Sequence, residues 1–255
     1  SAEFNSSADE YEPRVSADGR MMFFVRGKPG QQADIYCALR TTEGWTPAEP
    51  LAAINTEYDD LGPEISPDGR TLYFYSDRPD GVGGYDLWMS HSAESGWQAP
   101  INLGSLINSE FNEYGPAVSP DGKSIVFASN RPREAADLPS PKGAWQATIR
   151  EDPYRHDYDF YQCELTDAGV SSPRRLDKLN SDGNEGAPAF SPAGDFLYFS
   201  SDRTGGFGGF DLYRARLVYG EIEPPTNLGA AVNSKANELD PSLEMGGYAL
   251  HFSSD

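Results

Sequence analysis

Basic residues are scarce in this chain: 20 Lys+Arg stand against 40 Asp+Glu, a formal charge of −20 over 255 residues. A surface of that sign repels a polyanion, so nucleic acid is a poor partner. Cysteine is nearly absent. Cys37 and Cys163 are too few for a disulfide framework and too far apart for a metal site built on close pairs, so they read as small core residues. No apolar run approaches the roughly 20 residues of a bilayer-spanning helix, which argues against direct membrane insertion. Nothing at Ser1 resembles a secretory leader, although a start at Ser-Ala-Glu suits a processed or trimmed end. Histidine occurs only at 91, 156 and 251, in separate regions. With no Gly-x-Ser-x-Gly elbow and no paired-histidine motif, spacing proposes neither a nucleophilic triad nor a zinc site.

Helix breakers, by contrast, are plentiful. The 26 Gly and 20 Pro, with 12% aromatic residues, disfavour a helical bundle and point to an all-β domain. Self-similarity then organises the chain. A nine-residue pattern from Asn to Pro recurs five times, at 5–13, 55–63, 108–116, 180–188 and 233–241. Each copy is followed by a turn signal (SADG 16–19, SPDG 66–69, SPDG 119–122, SPAG 191–194 and a degenerate EMGG 244–247) and then by a β-rich run apolar on both faces. A glycine-rich connection follows, clearest at 76–88 and 201–213, and leads to a third strand starting near Asp34, Asp86, Asp159 or Asp211. A fourth run, such as 99–108 or 224–233, returns to the next Asn.

The repeat prolines are 50, 53, 72 and 53 residues apart, so the unit is near 53 and the third copy carries an insertion. Four short strands per unit, covered on both sides, predict a β-propeller whose blades shield one another radially. The complete units are 8–61, 62–114, 115–186 (with the insertion 132–157) and 187–239; 240–255 supplies a partial fifth. Four complete blades plus a partial fifth imply a five- or six-bladed ring when complete. Bare strand edges being unfavourable, further chain or a partner is expected to close it, with residues 1–4 donated to the last blade.

The series P-x-x-S-P-D-G-x-x-L-Y-F-x-S-D-R, then G-G-x-G-G-[YF]-D-L-[YW], then G-W-x-x-P-x-N-L-G-x-x-[IV]-N-S, resembles the WD40-like (PD40) propeller repeat of bacterial envelope proteins, related to the propeller of TolB. The resemblance spans almost the whole chain. It implies a binding scaffold of the periplasm or outer surface; in that family such repeats often accompany OmpA-type or tetratricopeptide domains, neither visible here. The unit is longer than TolB's own, so TolB's role is not transferred.

Topology places the Asn-to-Pro loops and the glycine-rich connections on one face. That face collects Glu10, Asp60, Glu113, Glu185 and Glu238 with Asp77, Asp202, Arg78, Arg131 and Arg203, a rim of alternating charge. Two readings stay open. The carboxylates could bind a basic ligand or a cation, since Ca²⁺ favours clustered oxygen ligands; no other cofactor is expected. Alternatively each pairs with a neighbouring arginine while the repeat Asn closes its own turn. The insertion is the better place for an individual binding site, because long loops on rigid scaffolds often carry binding and Trp145, Arg150, Tyr154, Arg155 and His156 offer stacking surface and forked donors; the alternative is a segment that merely covers the channel mouth or fills a gap. The sequence thus predicts a non-catalytic scaffold recognising a protein or a cell-wall glycan such as peptidoglycan. The rival is a carbohydrate-active enzyme, a glycosidase or lyase, with carboxylates at the channel mouth.

Overall fold

The computed structural model describes residues 6–133, 157–166, 169–244 and 246–254, and these form four full blades and a two-stranded fifth sheet, all antiparallel. The inner strands are Glu10–Val15, Asp60–Ile65, Glu113–Val118, Glu185–Phe190 and Glu238–Leu243. Each pairs with a second strand, as Thr71–Ser76 does in the second blade, and that strand with a longer third one, there Asp86–Ala93.

The fourth strand differs from expectation. Only two residues pair at the outer edge, such as Ile101–Asn102, because the prolines in these runs remove donors. A second two-residue strand, Gly96–Trp97 in this blade, pairs with the far end of the third strand, so each full sheet has five members.

Local chemistry explains the turns. Ser16 Oγ donates to Asp18 at 2.7 Å, and Ser66 to Asp68 and Ser119 to Asp121 each at 2.6 Å, while Gly19, Gly69, Gly122 and Gly194 take φ near 70°. In the fourth blade Ala193 replaces that aspartate and Asp195 accepts from Ser191 at 2.8 Å instead.

At the centre, the residue before each repeat proline is left-handed: φ is 53° at Glu12, 57° at Gly62, 58° at Gly115, 49° at Ala187 and 55° at Asp240. The register shifts at the same place in every blade, marking a bulge in each inner strand. Glycine suits such a position, and a Cβ on Gly62 would lie 2.3 Å from the Tyr75 ring. Glu12 and Asp240 hold it without that freedom.

Five inner strands close around one axis, since Glu238–Leu243 packs against both Glu185–Phe190 and Glu10–Val15. Arg14 ties them. It donates to Pro241 O at 2.6 Å and Pro188 O at 2.9 Å, and pairs with Glu64 at 2.9 Å. Outside this ring, apolar side chains interleave between blades, and Tyr75, Tyr114 and Tyr158 form an edge-to-face series at 5.8 and 4.8 Å. The second strand of the fifth sheet, Leu250–Ser254, carries no third strand among the described residues. The expected donation by residues 1–4 lies outside the described residues.

The repeat Asn does not close its own turn. Asn108 accepts from Leu87 N at 2.9 Å and donates to Leu87 O at 3.0 Å, stapling the loop to the third strand of its blade; Asn55, Asn180 and Asn233 do the same with Ile35, Phe160 and Leu212. An amide satisfies both backbone groups at once because the outer strand there is too short to reach them. Asn108→Ala strands a buried donor and acceptor, so it is expected to cost about 2 kcal/mol, read as a lower urea midpoint at unchanged slope.

Candidate functional site

The sequence places a charged rim on the loop face; the structure draws its carboxylates inward. Asp60, Glu113 and Glu185 have no solvent exposure, because each strand begins beneath the loop that precedes it. Glu113 accepts from Ser109 N and Oγ, from Ser129 Oγ at 2.7 Å and from Arg131 at 3.0 Å. Arg131 also donates to Ile107 O of the preceding loop at 2.6 Å and lies 4.8 Å over the Tyr161 ring. Arg203 repeats this with Glu185 at 3.1 Å and Leu179 O at 2.6 Å, and Arg78 with Asp60 and Ile54 O. The first strand starts with an acid, the second ends with Ser-x-Arg, and the two meet across one blade while the arginine reaches the loop of the blade before. The geometry is that of the pairing alternative: Arg78, Arg131, Arg203, Glu113 and Glu185 are inter-blade staples. Asp202 braces the Asn-to-Pro loop that precedes the inner strand of its blade, accepting from Asn184 N at 2.6 Å.

The third strand's leading aspartate was legible only as a boundary. In the second blade Asp86 accepts from Gly83 N at 3.1 Å, Val82 N and Asn102 Nδ2; Asp211 repeats this in the fourth. The third blade has lost the glycine loop. Its Asp159, fully inaccessible, is gripped by Arg133 at 2.7 and 3.0 Å and by Arg175 at 2.8 and 3.0 Å. Arg175 stands where the second and fourth blades have Asn102 and Asn227 and the first has Pro50, a substitution visible in the sequence as a repeat-breaking pair of arginines. The clamp joins the two ends of the insertion. Trp145, Arg150, Tyr154, Arg155 and His156 lie outside the described residues.

The axis holds groups that spacing could not find. Glu12 accepts from Tyr75 OH at 2.6 Å and Gly62 N at 2.7 Å. Burial raises its pKa, and the charge of Asp240 raises it further. Burial raises Asp240 as well, against a Ser253 hydrogen bond and Arg14, and its Oδ2 has no partner among the described residues. Towards the turn face a cavity of about 260 Å³ opens, walled by Val15, Ile65, Val118, Phe190 and Leu243 and lined also by Arg14 and Glu64. Cys37 and Cys163 are free thiols that burial pushes up to about 11, so neither is a thiolate at neutral pH. Among the described residues no group of three His, Cys, Asp or Glu is placed to hold a metal ion.

No protein-family model matches the chain, and no curated protein matches it. Solved structures do. A protein assigned as TolB from Agrobacterium tumefaciens superposes with a TM-score of 0.60 at 19% identity, over 99% of this chain and 72% of that one. TolB from Acinetobacter baumannii gives 0.60 at 14%, over 97% and 49%. Hydrazine synthase of Kuenenia stuttgartiensis gives 0.52 at 15%, over 95% and 70%. At such identities the shared property is the fold, a TolB-like β-propeller.

Proposed function

We propose that this TolB-like propeller is a non-catalytic binding scaffold of the bacterial cell envelope, periplasmic or at the outer surface, recognising a protein or cell-wall glycan through its loop face and the 132–157 excursion. The observation that supports it is the Asp159 clamp. The recurring acid–arginine pairs described on that face, Asp60 with Arg78, Glu113 with Arg131 and Glu185 with Arg203, hold blades together, which leaves a rigid platform. At the one place where the repeat is broken, Arg133 at the start of the insertion is tied to the buried Asp159 just past its end, and Arg175 of the outer strand grips the same carboxylate. A long loop with anchored ends on a rigid frame is how binding loops are presented.

Replacing 134–156 by the glycine connection of the second blade, with Arg133 and Asp159 kept, tests this reading. Retention of envelope proteins and of muropeptides on the immobilised propeller is expected to fall to background while the melting temperature holds. Unchanged retention would overturn the site.

The enzyme alternative has one observation in its favour, the raised protonation of Glu12 and Asp240. Both carboxylates are buried, and both oxygens of Glu12 are taken by Tyr75 and Gly62. That arrangement describes a structural acid pair better than an acid and base flanking a substrate.

A further inference from the structure

The pseudo-symmetry of the ring supplies an internal comparison between blade interfaces. Between the first and second blades, Trp97 leaves its short outer strand and meets Phe23 edge-on, with ring centroids 6.3 Å apart at 71°, above Ile65 and Leu72. The strand registers identify the corresponding positions between the third and fourth blades. Trp97 faces Ser92 as Ile222 faces Leu217, and Phe23 faces Cys37 as Val126 faces Gln162. Both aromatic rings are therefore replaced by aliphatic side chains, over Phe190 and Leu197 in place of Ile65 and Leu72. The core there does not collapse to compensate. A cleft of about 390 Å³ remains, lined by Val126, Leu197 and Ile222 with Gln162 and Arg174, a size in the range of binding sites.

Its rim is unlike that of the other interfaces. Tyr219 is fully exposed and held at φ 51° in a two-residue turn with Gly220 at φ 80°, a conformation that favours Asn, Asp or Gly over a bulky ring. The other described turns of this kind, 42–43 and 94–95, carry no aromatic residue and no left-handed side chain. Arg174 at the cleft donates to neutral Gln162 Oε1 at 2.9 Å and has no carboxylate at ion-pair distance among the described residues; Glu221 acts on it only through its charge and is itself paired with Lys178. In a chain of net charge −20, a guanidinium in that state is complementary to an anion brought by a partner.

We propose that the cleft between the third and fourth blades receives an aromatic side chain of a partner polypeptide, with a carboxylate beside that ring meeting Arg174. The same walls hold an indole two interfaces away, so shape favours a flat ring inserted edge-first. Tyr219 supplies a second aromatic surface at the mouth. This site lies on the turn face and stands whether or not the loop face binds.

The probes are N-acetyltryptophan, its uncharged amide and an N-acetylglucosamine oligomer, titrated into the isotopically labelled chain. N-acetyltryptophan is expected to give saturable amide shifts at Gly194, Gly220 and Val126, with the amide at least about tenfold weaker. Arg174→Gln should abolish that preference for the acid while leaving the amide's affinity unchanged. Val126→Phe with Ile222→Trp rebuilds the first interface's aromatic pair inside the cleft, so it should remove binding at an undiminished melting temperature; Ile222→Trp alone serves if the pair does not fold. Absence of saturable shifts in the parent chain, undiminished binding in the filled variant, or saturation by the sugar oligomer in place of the tryptophan derivative would each overturn the proposal.

Discussion

Asp159→Ala is expected to lower stability by about 3 kcal/mol, a fall of roughly 6–12 °C in melting temperature for a domain of this size. The carboxylate is fully inaccessible and receives four N–H contacts between 2.7 and 3.0 Å from Arg133 and Arg175. Its removal leaves two guanidinium groups facing each other, with only the exposed Asp177 still paired to Arg175 and the charge of Asp157 acting on Arg133. Because those arginines are 31% and 29% exposed, water recovers part of the loss, and the lower end of the range for a broken buried pair applies. Asp86→Ala is the control, since the same repeat position is there bound by amides alone and should cost about 1–2 kcal/mol. Equal losses for the two variants, measured by urea and thermal unfolding, would show that the arginine clamp adds nothing to the third blade.

The second large effect is a dependence on pH at the axis. Glu12 and Asp240 both have folded pKa values raised above their ordinary ones. Between the ordinary carboxylate range and neutrality the folded state therefore holds more protons than the unfolded chain. The stabilising contribution is present in acid and lost as pH rises. The groups facing the pair are Arg14, which favours the charged forms, and Tyr75, Tyr11 and Tyr114, whose phenols burial keeps neutral; Glu64 lies beyond, paired with Arg14. Glu12→Gln keeps the shape and lets the amide satisfy Tyr75 and Gly62. It should be more stable than the parent by about 1–3 kcal/mol near pH 8 and indistinguishable from it near pH 5. The turn aspartates 18, 68 and 121 have lowered pKa values and act in the opposite sense, losing their contribution only in stronger acid, so the two windows separate. Parallel melting-temperature curves for parent and variant from pH 5 to pH 8 would show that no proton is stored at the axis.

The balance between acids and their partners also explains how a chain of net charge −20 folds at all. Its recurring carboxylates are not spread over a repelling surface. Glu113 and Glu185 are inside, each with an arginine and two hydroxyl groups, and Asp60, Asp86 and Asp211 are satisfied by nearby donors. Such groups lock loop geometry because an unpartnered buried carboxylate is so costly.

The amino-acid order by itself determined the blade repeat, the order of strands, the serine-aspartate turns and the radial packing. Those features arise within a few residues of one another, where alternation, proline and glycine act directly on the backbone. It also marked the third unit as the irregular one. Only the tertiary structure decided which acids leave the surface, since Glu113 meets Arg131 through an 18-residue separation and Arg14 meets Pro241 of the neighbouring inner strand from 227 residues away. The acidic pair at the axis depends on a bulge that turns Glu12 and Asp240 inward from blades at opposite ends of the chain. The open cleft depends on two small side chains, Val126 and Ile222, 96 positions apart. Each looks ordinary in its own strand, and the space between them exists only once neighbouring blades fix how closely those strands can approach.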